Sequence, residues 1–261
     1  MKTQVKIFSL LVILLLTVKC KKDDENLSEK TGFLSLNVAM DITVQESGRG
    51  FKSTCAAGDL KVVIYSASGE EVLSFATADA MPSSVELKAG EYYVTAFSEN
   101  SLPAAFENPV YSGRSANFTV SPGLTTNAEV TAKLVNCAVS IIFSENIKQH
   151  FSDYYAEIST ANGILTYGKT ETRKGYFEIT PISIKATLTY SLNGETRTKV
   201  LTGSIAPDEG KHYEVVLNAN ISNGLSAINV LLDETEVYRN AEHFGRTRFN
   251  HRWFVDHRDY V

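Results

Sequence analysis

The residues with chemistry to offer are three cysteines, five histidines and a scatter of Ser, Asp and Tyr, and their spacing decides which chemistry is open. His243, His251 and His257, with Glu242 and Asp256, are suitable donor types for a divalent metal. Their separations match no closed site, and exposed histidines of a polar tail are the competing reading. Ser, His and Asp never share a nucleophile elbow or a similar frame. No catalytic residue, metal or cofactor is therefore assigned, and the chain is read as a non-enzyme. Cys55 and Cys137 have neither the C-x-x-C spacing nor the His partners of a zinc site. In an oxidising compartment they can pair; two buried free thiols are the alternative, and both stay open.

Cys20 has the most defined setting. Lys2 and Lys6 start the chain, Ile7 to Val18 form an apolar run, and KKDDEN follows the cysteine at once. Positive start, apolar core and short length are the layout of an export signal. A spanning helix needs roughly 20 apolar residues, and here charge intervenes too early. Cys20 resembles the cysteine of bacterial lipoprotein signals, which becomes the first mature residue and carries lipid; a plain secretory signal with an incidental cysteine is the competing reading. At about 0.8 kcal/mol per buried methylene, several acyl chains hold a protein on a membrane where one does so only marginally. Lys22, Asp23, Asp24 and Glu25 are similar to the stretch that follows the lipidated cysteine in Bacteroidetes lipoproteins exported to the cell exterior. The resemblance implies surface exposure on the outer membrane; a solvated tether on an inward-facing protein is the alternative.

Removing residues 1–19 takes away Lys2, Lys6 and Lys19, so the net charge moves from −5 to −8. An acidic chain of this kind is a poor partner for nucleic acid. What remains is long enough for two ordinary domains.

The elements that position these residues are strands. In FLSLNVAMDI, Leu34, Leu36, Val38, Met40 and Ile42 alternate with polar or small residues, the period of a half-buried strand. Alternation returns at Leu60–Ile64, at Val85–Leu87, and after a turn at Ala89-Gly90-Glu91 along Tyr92–Phe97. It continues at Ala116–Val120 and Ala128–Ala132. Asn136 marks a handover, because LVNCAVSIIF restarts the pattern with Cys137, Val139, Ile141 and Phe143. Shorter strands are predicted over 154–158, 163–167 and 176–179. Residues 184–190 and 196–202 flank Asn193-Gly194, a strong hairpin signal. Tyr213 to Ile221 alternates cleanly, Ala227 to Leu232 makes the last strand, and only Glu145 to Phe151 hints at a helix. Short strands with frequent turn chemistry predict sandwiches of two stacked sheets. The expected organisation is a signal over 1–19, a lipidated tether over 20–31, β-sandwiches over 32–134 and 135–236, and an irregular tail over 237–261.

The order of GFLSLNV, VELKAGEYYVTAFSEN, PAAFENPVYSG, FTVSPGLTTNAEVTAKLVNCAVSIIF and FSDYYAEIS resembles the fimbrillin-like surface lipoproteins of the Bacteroidetes, a family of unknown function. The resemblance covers roughly residues 31–235 and implies an all-β fold of two tandem transthyretin-like sandwiches, anchored by lipid and displayed outside. It implies no biochemical activity. Pilin relatives mature by proteolysis after a basic residue beyond the first strand, which frees a groove for a partner's donor strand. Arg49, in ESGRGF, stands at the matching location, with a solvated loop arginine as the alternative. Ala227 to Val237 is the better donor candidate, since the tail does not alternate.

These readings lead to a surface component with a structural or adhesive role, a fimbrial subunit or its anchor. Its expected partners are the outer membrane, other fimbrillin-like subunits as homo- or hetero-polymer, and a host protein or glycan. A glycan-binding lipoprotein of a nutrient-uptake system is the alternative, resting on Tyr92, Tyr93, Tyr111, Tyr154 and Tyr155. Neighbours in a strand point to opposite faces, so at least half of these rings belong to the core. Trp253 lies in the tail and adds little to a sugar platform.

Overall fold

The computed structural model describes residues 30–41, 55–222 and 227–236, with side chains described as far as Ala219. The alternation along the chain becomes strands whose apolar set faces inward. In β1 (Thr31–Met40), Leu34 is wholly buried and Leu36, Val38 and Met40 pack on the same core. β2 (Lys61–Ser66), β3 (Glu71–Phe75), β4 (Val85–Lys88) and β5 (Gly90–Phe97) follow. Tyr92, Val94 and Ala96 of β5 are buried, while Tyr93, Thr95 and Phe97 between them are half-buried. Then come β6 (Ala104–Phe106), β7 (Tyr111–Arg114), β8 (Phe118–Val120) and β9 (Thr125–Leu134).

The first module is a sandwich joined along one side. One layer runs β3-β2-β5-β7, with β8 also on β5, and the other runs β9-β1-β4. β9 belongs to both: its residues 125–132 run parallel to β1, and its end pairs with β7 through Tyr111↔Leu134 and Ser112↔Lys133. The expected turn at Ala89 is a change of layer, since β4 pairs with β1 whereas β5 pairs with β2. Leu34, Ile64, Val94, Tyr111 and Val130 fill the space between the layers with almost no exposure.

The second module comprises β10 (Cys137–Phe143), the helix α1 (Glu145–His150), β11 (Asp153–Ser159), β12 (Ile164–Tyr167) and β13 (Gly175–Phe177). β14 (Ile182–Leu192), β15 (Glu195–Ile205), β16 (His212–Ser222) and β17 (Ala227–Glu236) complete it. Its layers run β12-β11-β14-β15 and β17-β16-β10-β13-β6. Ser144 caps the helix by accepting from the Ile147 N–H at 3.4 Å, and Glu145 in the first turn with Lys148 in the last suits the helix dipole. The hairpin from β14 to β15 turns on Asn193 and Gly194 at φ 54° and 82°, the left-handed pair such a turn requires.

Residues on either side of the boundary expected at 134/135 enter the core of the other side. β6 leaves the first module to pair with β13, as Ala105↔Tyr176 and Ala104↔Phe177, and Ala104 and Phe106 pack on the second core. In return Ala138 and Tyr176 are part of the first core. The modules are interlocked rather than strung in series.

Candidate assembly interface

The functional expectations concern strands and their edges, so the geometry that matters is which strands are inner and which are terminal. β1 is inner. It pairs with β9 over Phe33–Met40 and with β4 over Thr31–Leu34, and its ends are held by Phe33 N–H to Leu124 O and Asp41 N–H to Ala132 O, both 2.8 Å. Burial of Leu34 alone is worth about 2 kcal/mol. β10 repeats the arrangement in the second module, parallel to β16 on one side and antiparallel to β13 on the other. β17 is terminal. It pairs with β16 in an unbroken register from Tyr213↔Glu236 to Ser222↔Ala227 and, among the described residues, has no neighbour beyond.

A network of buried amides ties the joint between the modules. Asn136 accepts from Val110 N–H and donates to Asn108 O, each at 3.1 Å, while its own carbonyl accepts from Gly210 N–H at 3.1 Å. The Asn108 side chain accepts from Asn100 Nδ2 at 2.6 Å and donates to the Asn100 backbone carbonyl at 2.9 Å. A Cβ on Gly163 would stand 2.7 Å from Ala104 Cβ, so only glycine lets β6 lie this close. Arg173 covers the Phe106 ring at 4.5 Å and is itself held by Glu171. Those hydrogen bonds from Arg173 draw the Glu171 carboxyl down to about 2.

His212 is a titratable group enclosed at this joint. It is 5% exposed, shares a hydrogen bond with Ser140 Oγ at 2.9 Å, and its Nδ1 is buried without a partner. Burial first, and then the charge of Lys174, push its pKa down to about 4. The row His212–Ala138–Tyr176–Ala105 crosses β16, β10, β13 and β6, which puts the imidazole level with the strand exchange.

Several predicted site residues lie outside the described residues: Cys20, Lys22, Asp23, Asp24, Glu25 and Arg49, together with His243, His251 and His257 of the tail. The two internal cysteines belong to different cores. Cys137 is wholly buried, and desolvation raises its thiol to about 12; Cys55 packs partly exposed against the first core. Of the five tyrosines, Tyr92, Tyr111 and Tyr154 are buried. Tyr93 faces out, but Tyr65 stacks on it at 5.1 Å and the Arg114 guanidinium lies 3.9 Å from its centroid. That leaves Tyr155, half-buried, as the fifth. Cross-strand pairing brings Tyr65 to Tyr93, a contact invisible along the chain because 28 positions separate them.

Among the described residues no helix is long and apolar enough to cross a membrane. No curated protein matches the chain. Among solved structures it is similar to a fimbrial assembly protein from Parabacteroides distasonis, at 10% identity and a TM-score of 0.42, over 84% of this chain and 98% of that one. It is also similar to the fimbrial anchor protein Mfa2 from Porphyromonas gingivalis, at 9% identity and a TM-score of 0.36, over 77% of this chain and 95% of the other. Likeness of that degree says nothing of activity. The two interlocked modules occupy residues 31–236, and across residues 30–243 the chain matches the model of a family described as a domain of unknown function (DUF4493), to which it belongs.

Proposed function

We propose that this is a lipid-anchored component of the cell surface with a structural or adhesive role, built to polymerise as a fimbrial subunit or to anchor such a polymer. The observation that carries the reading is the place of β1, an inner strand between β9 and β4 that continues into the segment holding Arg49. A cut after Arg49 separates β1 from its module. Its departure unpairs the facing edges of β9 and β4 and opens the hollow that Leu34 fills.

An extended strand of similar length with apolar residues at alternate positions can refill that place. β17 is such a strand: it has ten residues, as β1 does, and carries Ile228, Val230 and Leu232 in alternation. Because among the described residues β17 pairs with β16 alone, donating it breaks one ladder. In the acceptor, main-chain pairing supplies affinity and the alternate side chains set register. Lipid on Cys20 holds the base, and Lys22 to Glu25 form the start of an outward tether.

The test is a gel of surface material from cells making the natural chain and Arg49→Ala. High-mass ladders from the natural chain, absent from the variant, are the expected result. Intact monomers from both, with unchanged display, overturn polymerisation through this cut. Labelled palmitate should appear on the natural chain and be absent from Cys20→Ala; an unlabelled natural chain ends the anchoring claim.

A further inference from the structure

The strands of the first module give it two ends. β1 and β9 run parallel, and β9 leads from Leu134 to Cys137 and so into the second module. The other end, opposite this handover, gathers four segments: 30–33 at the start of β1, the turn 66–70, the layer change 88–91 and the turn 120–124. Hydrogen bonds tie them together. Ala89 N–H donates to Lys30 O at 2.7 Å, Gly123 N–H to Thr31 O and Phe33 N–H to Leu124 O at 2.8 Å each, and Ala67 N–H to Glu91 O at 2.9 Å.

This end carries apolar side chains turned to solvent. Leu124 is 62% exposed, more than any other large apolar side chain among the described residues, and Phe33, hydrogen-bonded to it through the backbone, is 39% exposed. The turn before Leu124 stands clear of the module, since Gly123, at φ +68°, has nothing within 4 Å of the place a Cβ would occupy. Charge is balanced here as it is not elsewhere. The four segments hold two basic residues, Lys30 and Lys88, and two acidic ones, Glu70 and Glu91, whereas the chain without residues 1–19 carries a net charge of −8.

Where the chain enters decides what lies against this end. On the lipid-anchoring reading, on which the inference rests, ten residues lead from Cys20 to Lys30. Fully extended they span roughly 35 Å, so the end bearing Lys30 is held close to the bilayer and the second module is carried away from it. We infer that this end is a membrane contact, in which the turn 121–124 and Phe33 sink into the surface of the bilayer that holds the lipid. Tethering makes the contact intramolecular, at a roughly millimolar effective concentration for a short linker, so two apolar side chains suffice. Glu86 limits the depth. It stands opposite Phe33 on β4, two residues up β1 from Thr31 or about 7 Å, and a carboxylate stays at the level of water. The contact belongs to the chain before any cut at Arg49, while β1 still joins the lipid to its module.

The test uses the full-length lipidated chain with Arg49→Ala, to keep β1 attached, and Cys55→Ser. Cys137 is wholly buried and does not take a label. A fluorophore is placed on Leu124→Cys or, in a separate sample, on Ser101→Cys, exposed in the loop beyond the far end of β5. Both are reconstituted in vesicles of equal parts phosphatidylethanolamine and phosphatidylglycerol containing a nitroxide acyl-chain lipid. Quenching is expected to be roughly fivefold stronger at Leu124→Cys, because an interfacial segment sits about 5–10 Å into the headgroup boundary. Adding Phe33→Asp should lower it while the circular dichroism melt is retained. Flotation separates the two possible failures. A natural chain that does not float with the vesicles overturns the anchoring and the contact together. Chains that float through Cys20 but quench alike at both labels, or are unmoved by Phe33→Asp, overturn the contact alone.

Discussion

The two modules begin alike and finish differently. Each starts with a strand held parallel to a later one, β1 to β9 and β10 to β16, and antiparallel to another, β4 or β13. In the first, β9 goes on to pair with β7, so the two layers share a strand along one side. In the second, β16 takes β17 instead, and β15 is left as the end of its layer. A single change of partner thus leaves the first sandwich joined at that side and the second with two long edges. Edges are templates for further strands, and among the described residues the two long ones both belong to the second module.

The comparison can be broken by asking whether the modules unfold separately. Ile184, 1% exposed in the second core, leaves a cavity when shortened to Ala, at a cost of about 2–5 kcal/mol. Because β6 is paired into the second module and Tyr176 packs in the first, one calorimetric transition is expected for the variant, shifted down as a whole. Two separated transitions would show that the exchange does not couple the modules.

Acid tests the joint itself. The unfolded His212 titrates near 6.5 and the folded one near 4, so between those values the unfolded chain binds more protons. Stability from this group is complete above pH 6.5, falls as the pH drops toward 4, and is flat below. The difference of 2.5 pH values corresponds to roughly 3 kcal/mol. Lys174 sharpens the penalty by opposing a second positive charge. Urea midpoints measured from pH 7 to pH 4 should fall for the natural chain and fall less for His212→Gln, which keeps polar contact with Ser140 without a charge to acquire. Parallel slopes for the two would remove His212 from the account.

How much of this was legible depends on the range of the interaction. The long strands were, because their inward and outward sets alternate locally, and so was the Asn193-Gly194 turn, whose backbone demand falls on two adjacent residues. Asn136 was visible as a handover, but its hydrogen bonds to residues 108 and 110 were not. β6 escaped notice because three residues are too few for a period, and its strand character comes from β13, about seventy positions away. β7 reads as turn chemistry in Tyr-Ser-Gly-Arg. Its glycine is required because β9 passes so close that a Cβ would lie 2.3 Å from Thr131 O. For the cysteines the residues left pairing and free thiols equally open, and it is the division into two cores that places Cys137 in one and Cys55 against the other.

A smaller perturbation separates the joint's hydrogen bonds from its packing. Asn136→Ala leaves the Val110 N–H and the Asn108 carbonyl without their side-chain partner in a buried place, worth about 1–3 kcal/mol. Asn136→Asp keeps the acceptor for Val110 but loses the donor to Asn108 O and introduces a carboxylate into the joint. Hydrogen exchange at Val110 should quicken in the alanine variant, while Ile184 and Ile64, deep in separate cores, keep their protection. Loss of protection at all three would mean that the amide supports the whole molecule rather than the joint.

The least change is at the tip of the β14–β15 hairpin. Gly194 has φ +82° with nothing within 4 Å of the place a Cβ would occupy, so Gly194→Ala costs only the left-handed backbone, about 1–2 kcal/mol. The cost falls on the hairpin's outer end, where residues 193–198 are exposed and far from the core. A lower midpoint with an unchanged second core is the expected outcome. Fraying begins at Glu195 and works toward Val200, so hydrogen exchange should quicken over residues 196–200 and stay slow at Leu201 and Ile205, which are buried in the second core. Quickened exchange at Ile205 as well would mean that the turn supports the whole β14–β15 ladder rather than its outer end.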